Sequence, residues 1–276
     1  MELLTTVAVD GAQIVCRRVG KGRPLLVLNG FASTSADWDP SFNDRLASSN
    51  ELILLNNRGI GGSTDDGQPF DITNLADDAA RVIEILGIER ASVMGWSMGG
   101  FIAQAFAVKY RDRIQKLVLL STDPGGIEAD LASPNVWSEL LETSGTPNEQ
   151  ARRLLSLLFP KDVAESFYRR FGDIVAAARA QLSVELLDRQ AAAMAAWHRS
   201  GVASQLREIH VPVLIATGTE DIVIPASNAL KLVNTIPGAW LAQFPHGGHA
   251  FMAQYPQALA DLIKSFLVSS DAESSA

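Results

Sequence analysis

The chain has 276 residues, 47% of them hydrophobic, and 31 acidic against 23 basic side chains give it a formal net charge of −8. That length suits one large α/β domain with an insertion, or two small domains, and is ample for a buried core. The acidic balance without a Lys/Arg run excludes nucleic acid as an expected partner, the single cysteine excludes an internal disulfide and a cysteine metal cluster, and no apolar run is long enough to span a bilayer.

Residues 5–9 and 13–19 read as two strands joined by Asp10-Gly11, a dipeptide suited to a tight hairpin turn. Cys16 falls in the second of these and reads as a small buried hydrophobe. The opening Met1-Glu2-Leu3-Leu4-Thr5-Thr6 lacks the basic and apolar regions of a secretory leader, so a reducing cytoplasm is the expected compartment. Residues 24–28 and 52–55 are short continuous apolar runs, the pattern of strands covered on both faces. Between them, the loop Asn29-Gly30-Phe31-Ala32 and the stretch Trp38-Asp39-Pro40 lead into a helix that reaches about Ser48. The second run ends in a glycine-rich loop, Asn56-Asn57-Arg58-Gly59-Ile60-Gly61-Gly62-Ser63.

Residues 71–86 place Ile72, Leu75, Ala79, Val82, Ile83 and Leu86 on one helical face, with Asp71 as N-cap and Gly87 as stop. A strand over 91–94, an Ala-rich helix including 101–107 and a strand over 114–120 follow. This alternation predicts a parallel sheet with helices on both faces. At Asp123-Pro124-Gly125-Gly126 the texture changes, and 127–207 read as amphipathic helices without a strand, a cap inserted into the core. The buried-strand pattern returns at 212–217, followed by a helix at 225–236, a strand at 240–244 and a closing helix at 250–268. The tail from Ser269 is small and polar and is expected to fray. The predicted organisation is therefore core 1–126, helical cap 127–207 and core 208–276.

Chemistry concentrates at Gly95-Trp96-Ser97-Met98-Gly99, where a strand runs directly into a helix. Gly-x-Ser-x-Gly alone is weak, since about one chain in eight of this composition would carry it by accident. Placed between strand and helix, it builds a sharp turn that presents the serine hydroxyl, and the two glycines relieve crowding where helix crosses strand. The helix that follows aims its free amides at the same point, favouring developing negative charge. Ser97 is the expected nucleophile.

A serine hydroxyl needs a base, and the base an orienting carboxylate. Of the four histidines, His198 falls among the helices of the insertion and His210 just before a strand, and both read as partly exposed side chains. His246 and His249 follow the last strand, on the carboxyl side of a parallel sheet where sites assemble. His249 is preferred, because Gly247-Gly248 lets the backbone carry it towards the serine turn. Gly218-Thr219-Glu220-Asp221 offers two acids; Asp221 is preferred, with Glu220 facing solvent.

With these residues in hand, the chain resembles the α/β-hydrolase fold superfamily, in its small capped branch of esterase-like and carbon–carbon-bond hydrolases. The family's nucleophile turn matches Gly95 to Gly99, its acid turn Gly218 to Pro225, its Gly-His step Gly248-His249, and the order Ser97, Asp221, His249 is the order this fold uses. The resemblance implies a mostly parallel eight-stranded sheet with helices on both faces and an inserted all-helical cap. It also implies an oxyanion hole built from the backbone N–H groups of Phe31 and Met98, and no metal or organic cofactor. The chain departs from the family pattern in having Asn29 where His is usual, Thr34 where Ser is common, and Asn56 in place of an acid.

The helical segment is rich in Ala, Leu and aromatics, most of which should pack inward. A lid this apolar predicts a hydrophobic pocket to which Trp96, Phe31, Trp137 and Trp197 contribute. The expected partner is a small or medium hydrophobic ester or lactone, acted on by a monomer or homodimer. Two alternatives stand beside it. One is hydrolysis of a carbon–carbon bond in a ring-fission product, whose carboxylate would need one of Arg152, Arg153, Arg169, Arg170, Arg179, Arg189 or Arg199. The other is a ligand-sensing or partner-binding protein on the same fold.

Overall fold

The computed structural model describes residues 2–269, so the polar tail beyond Ser269 lies outside the described residues. The strands are β1 (Glu2–Val9), β2 (Ala12–Gly20), β3 (Arg23–Leu28), β4 (Asn50–Leu55), β5 (Ala91–Trp96), β6 (Ile114–Leu120), β7 (Val213–Gly218) and β8 (Trp240–Phe244). They form one eight-stranded sheet in the order β1-β2-β4-β3-β5-β6-β7-β8. β1 and β2 pair antiparallel across the turn at Asp10-Gly11, and β2 is antiparallel to β4. The remaining pairings are parallel.

The helices are α1 (Pro40–Ala47), α2 (Ile72–Ile85), α3 (Met98–Lys109), α4 (Pro134–Leu141), α5 (Pro147–Leu158), α6 (Lys161–Arg179), α7 (Val184–Ser200), α8 (Ser227–Thr235), α9 (Phe251–Gln254) and α10 (Pro256–Val268). Side chains alternate across each strand, which explains the unbroken apolar runs. Leu25 and Val27 of β3 and Leu52 and Leu54 of β4 join Phe42, Leu46, Ile263 and Phe266 of α1 and α10. Leu26, Leu28, Ile53 and Leu55 join Leu75, Val82, Phe101 and Ile102 of α2 and α3 on the other face. α3 is buried from Met98 to Ala107, as befits a helix that is apolar all round.

Local signals set the ends of the elements. Asp71 caps α2 by accepting from Asn74 N, while the Asn74 side chain accepts from Asp71 N. The closing helix expected at 250–268 is two helices instead. Pro256 opens α10, and the residue before a proline is pushed off helical geometry; Tyr255 has φ −126° and ψ 47°. Between β6 and β7 the described residues hold α4 to α7 and short 3-10 turns, with no strand. Because β3 and β5 to β8 are parallel, the loops after them leave the sheet at the same edge, and there the helical insertion meets them.

Candidate active site

At the end of β5 the chain reverses into α3 through Ser97, whose φ is 57°. A non-glycine residue in the left-handed region stores strain that neighbouring structure must hold. Here Ser97 N donates to Leu120 O (2.9 Å) and Ser97 O accepts from Thr122 Oγ1 (3.1 Å), pinning the turn to the end of β6. The flanking glycines are required by contact. A Cβ on Gly95 would lie 2.0 Å from Gly99 O, and one on Gly99 would lie 2.2 Å from Leu28 O.

His249 and Asp221 meet beside this turn. Asp221 Oδ2 lies 2.8 Å from His249 Nδ1, and its Oδ1 accepts from Val223 N and Ile224 N at 2.9 and 2.8 Å. Both side chains are buried. Backbone crossing makes this possible: Gly218 packs so closely on Gly247 that a Cβ would lie 2.2 Å from Gly247 O, and Glu220 N donates to Gly247 O. Trp96, next to the serine, donates its Nε1 to His249 O (3.0 Å) and packs its ring against the imidazole at 5.4 Å. Ser97 Oγ makes no hydrogen bond among the described residues. His246 points elsewhere, its ring between Glu220 and Asp162 on the surface.

The amide of Met98 begins α3 and has no partner within the helix, and that of Phe31 donates to no acceptor among the described residues. Asn29, the departure from the family pattern, holds the Phe31 loop. Its Nδ2 donates to Leu55 O (2.6 Å) and its Oδ1 accepts from Trp38 Nε1 (2.7 Å). Asn56 acts alike, accepting from Ser35 N and donating to Gly61 O, both at 2.7 Å. From the insertion, Gln190 of α7 accepts from Ala32 N (2.9 Å).

Ser97 opens on a tight cavity of about 10 Å³, lined by Phe101, Trp137, Leu140, Met194, Val223 and Ile224 together with the polar Asp123, Asp130 and His198. Of the four aromatics expected to line a pocket, Trp137 does so. Trp197 is buried behind the lining, stacked on Phe101 (ring centroids 5.2 Å) with its Nε1 on Asp123 Oδ1 (3.2 Å). Trp96 is taken up by His249 and Trp38, and Phe31 packs, half-buried, against the hydrophobic core. His198, read from sequence as merely half-exposed, is on the cavity wall and bonded to Asp123. Its spacing from Met194, one helical turn away, carries that information only once the buried face of α7 is known. Cys16 is fully buried, and burial pushes its thiol up to about 11, which leaves it unreactive. No group of side chains suited to a metal ion occurs among the described residues.

The chain is similar in sequence and fold to known hydrolases. Over 280 residues the chain is 27% identical to the poly(3-hydroxyalkanoate) depolymerase of Ectopseudomonas oleovorans, covering 96% of this chain and 92% of that protein. Over 261 residues it is 27% identical to the 2-hydroxy-6-oxo-6-phenylhexa-2,4-dienoate hydrolase of Burkholderia cepacia, covering 90% and 88%. The crystal structure of a hydrolase from Pseudomonas aeruginosa superposes with a TM-score of 0.80 at 27% identity, over 96% of this chain and 98% of that one. A sheet of this order, a serine turn after β5 and a match of residues 23–254 to the family model of the α/β-hydrolase fold together lead to one conclusion: the chain belongs to the α/β-hydrolase family.

Proposed function

We propose that this protein is a serine hydrolase of small to medium uncharged esters or lactones, with Ser97 as nucleophile, His249 as base and Asp221 as the acid that orients it, and with 127–207 acting as a cap over the pocket. His249 Nε2 takes the hydroxyl proton as Ser97 Oγ attacks the carbonyl carbon, and the N–H groups of Phe31 and Met98 hold the oxyanion. Asp221, accepting from Nδ1–H, keeps the imidazole in the tautomer that can do this and stabilises its cation. The imidazolium returns its proton to the leaving alcohol, and water, deprotonated by the same ring, opens the acyl-enzyme.

The observation that carries this reading is the strained Ser97 facing an apolar cavity, with an Asp221-bound imidazole tied through Trp96 to the residue beside it. The relatives' names span a poly(3-hydroxyalkanoate) and a phenylhexadienoate, so the residues around the cavity must decide the substrate. They favour an uncharged acyl group. None of the arginines of the insertion is among the lining residues, and Asp123 and Asp130 are. Arg152 pairs with Glu165, Arg189 with Asp65, and Arg153 of α5 donates to the carbonyls of Glu142 and Ser144 in the loop before that helix. Among these lining residues a ring-fission carboxylate would meet no arginine or lysine.

The test is fluorophosphonate labelling and turnover of p-nitrophenyl esters of rising acyl length, beside a ring-fission diene. Ser97→Ala should abolish labelling and lower kcat/KM by about a thousandfold or more. Labelling that survives Ser97→Ala overturns the assignment of the nucleophile. Saturable binding of an ester that is never turned over would identify a ligand sensor instead.

A further inference from the structure

The cavity that holds Ser97 contains a second His–Asp pair. Asp123 follows β6 and is 1% exposed. Its Oδ1 accepts from Gly125 N (2.8 Å) and Trp197 Nε1 (3.2 Å), and its Oδ2 lies 3.2 Å from His198 Nε2. Gln104 Nε2 holds its backbone carbonyl at 2.9 Å. A carboxyl group whose Oδ1 serves two obligate donors acts as an acceptor, so the ring proton of a neutral His198 resides on Nε2. Nδ1 is then a lone pair, and among the described residues it has no partner. The ring is wedged edge-on between Trp137 (5.3 Å) and Phe101 (5.6 Å), which fixes its plane. The other acid on the wall is already engaged: Asp130 is held by Lys231 and Ser227.

We propose that His198, fixed by Asp123, is a specificity-determining hydrogen-bond acceptor in the substrate cavity, and that the preferred acyl groups carry a hydroxyl that donates to its Nδ1. A lone pair without a partner on the cavity wall discriminates by what it leaves unsatisfied. A hydroxyl satisfies it, whereas an ether oxygen of similar size brings a second lone pair against it. The inference rests on the serine-hydrolase reading and refines its substrate class.

The experiment compares p-nitrophenyl butyrate, 3-hydroxybutyrate and 3-methoxybutyrate. Wild type should prefer the hydroxy over the methoxy ester by about tenfold in kcat/KM, the scale of one net hydrogen bond. His198→Leu should bring that ratio towards one. Asp123→Asn can still accept from Gly125 and Trp197 while donating to Nε2, which moves the ring proton to Nδ1. The wall then donates, and the methoxy ester should gain relative to wild type. Fluorophosphonate labelling of each variant reports that it is folded with Ser97 competent, so a collapsed variant does not pass for a result. A flat ratio in labelled, active wild type, or a ratio unchanged in both variants, overturns the subsite alone. Wild type that neither labels nor turns over any ester overturns the hydrolase reading and the subsite with it.

Discussion

Trp96 is one residue from Ser97, the proposed nucleophile, yet its indole faces His249, the proposed base. Its N–H on His249 O and its ring against the imidazole connect the turn after β5 to the loop after β8. That makes it a positioning residue, with no contact to the reacting atoms required. Trp96→Phe keeps the apolar ring and removes one hydrogen bond, so kcat should fall about three- to tenfold with KM little changed. Steady-state kinetics on a p-nitrophenyl ester checks this, and a rise in KM at constant kcat would instead place Trp96 in substrate binding. Ser97 shows the complementary case of a residue whose strained backbone is held in place by β6 and Thr122.

Two element crossings hold the site, and each has its own prediction. Where α3 crosses β3, the space beside Gly99 is filled by the Leu28 carbonyl, backbone that cannot move aside cheaply. Gly99→Ala should therefore cost about 1–3 kcal/mol or more, read from urea unfolding, with activity falling because Ser97 shifts along with the helix. Where the start of α6 meets the loop after β8, His246 sits between Asp162 (2.9 Å) and Glu220 (2.6 Å), and these hydrogen bonds raise its pKa to about 9. A histidine whose folded pKa lies above its unfolded value of about 6.5 contributes its full stabilisation below that value and loses it as pH rises through the folded pKa. The difference in Tm between wild type and His246→Gln should thus be largest near pH 6 and vanish by about pH 10. A difference that persists unchanged at high pH would mean the contact is steric rather than ionic. All three groups are exposed, so added salt should narrow the gap as well.

At the scale of the molecule, the hairpin that opens the chain is fastened to the parallel sheet by a buried ion pair. Arg58, on the glycine-rich loop after β4, reaches Asp78 of α2 through two hydrogen bonds (2.8 and 2.6 Å) and also donates to Asp10 O at the β1–β2 turn. Removing one partner leaves the other charge buried alone, so Asp78→Ala should destabilise the fold by about 3–5 kcal/mol, measurable by chemical denaturation. Turnover per folded molecule should be little affected, since the pair lies on the α2 side of the sheet and is not among the groups around Ser97. A fall in turnover matching the loss of stability would show that the sheet transmits the change to the site. Among the described residues no helix is long and apolar enough to cross a membrane, in line with the apolar runs of the sequence being those of strands and short helices.

What could be read from the sequence was what neighbouring residues decide among themselves. The apolar runs at β3, β4 and β6, the Asp71 cap and the glycine-flanked Ser97 announce themselves because period, capping and crowding act over a few positions. The order of strand-end loops then singled out Asp221 and His249 from a short set of acids and histidines. The proline that divides the closing helix was also local, and was outweighed by the apolar spacing around it. What only the tertiary structure decided were pairings between distant segments. His198 and Asp123 are 75 positions apart, and Gln190 and Ala32 are 158 apart. Trp197 lies off the pocket wall, stacked on Phe101 with its N–H on Asp123. No periodicity encodes such contacts. They exist because the sheet brings the ends of parallel strands to one edge, and there each buried polar atom must find whatever partner the helices above present.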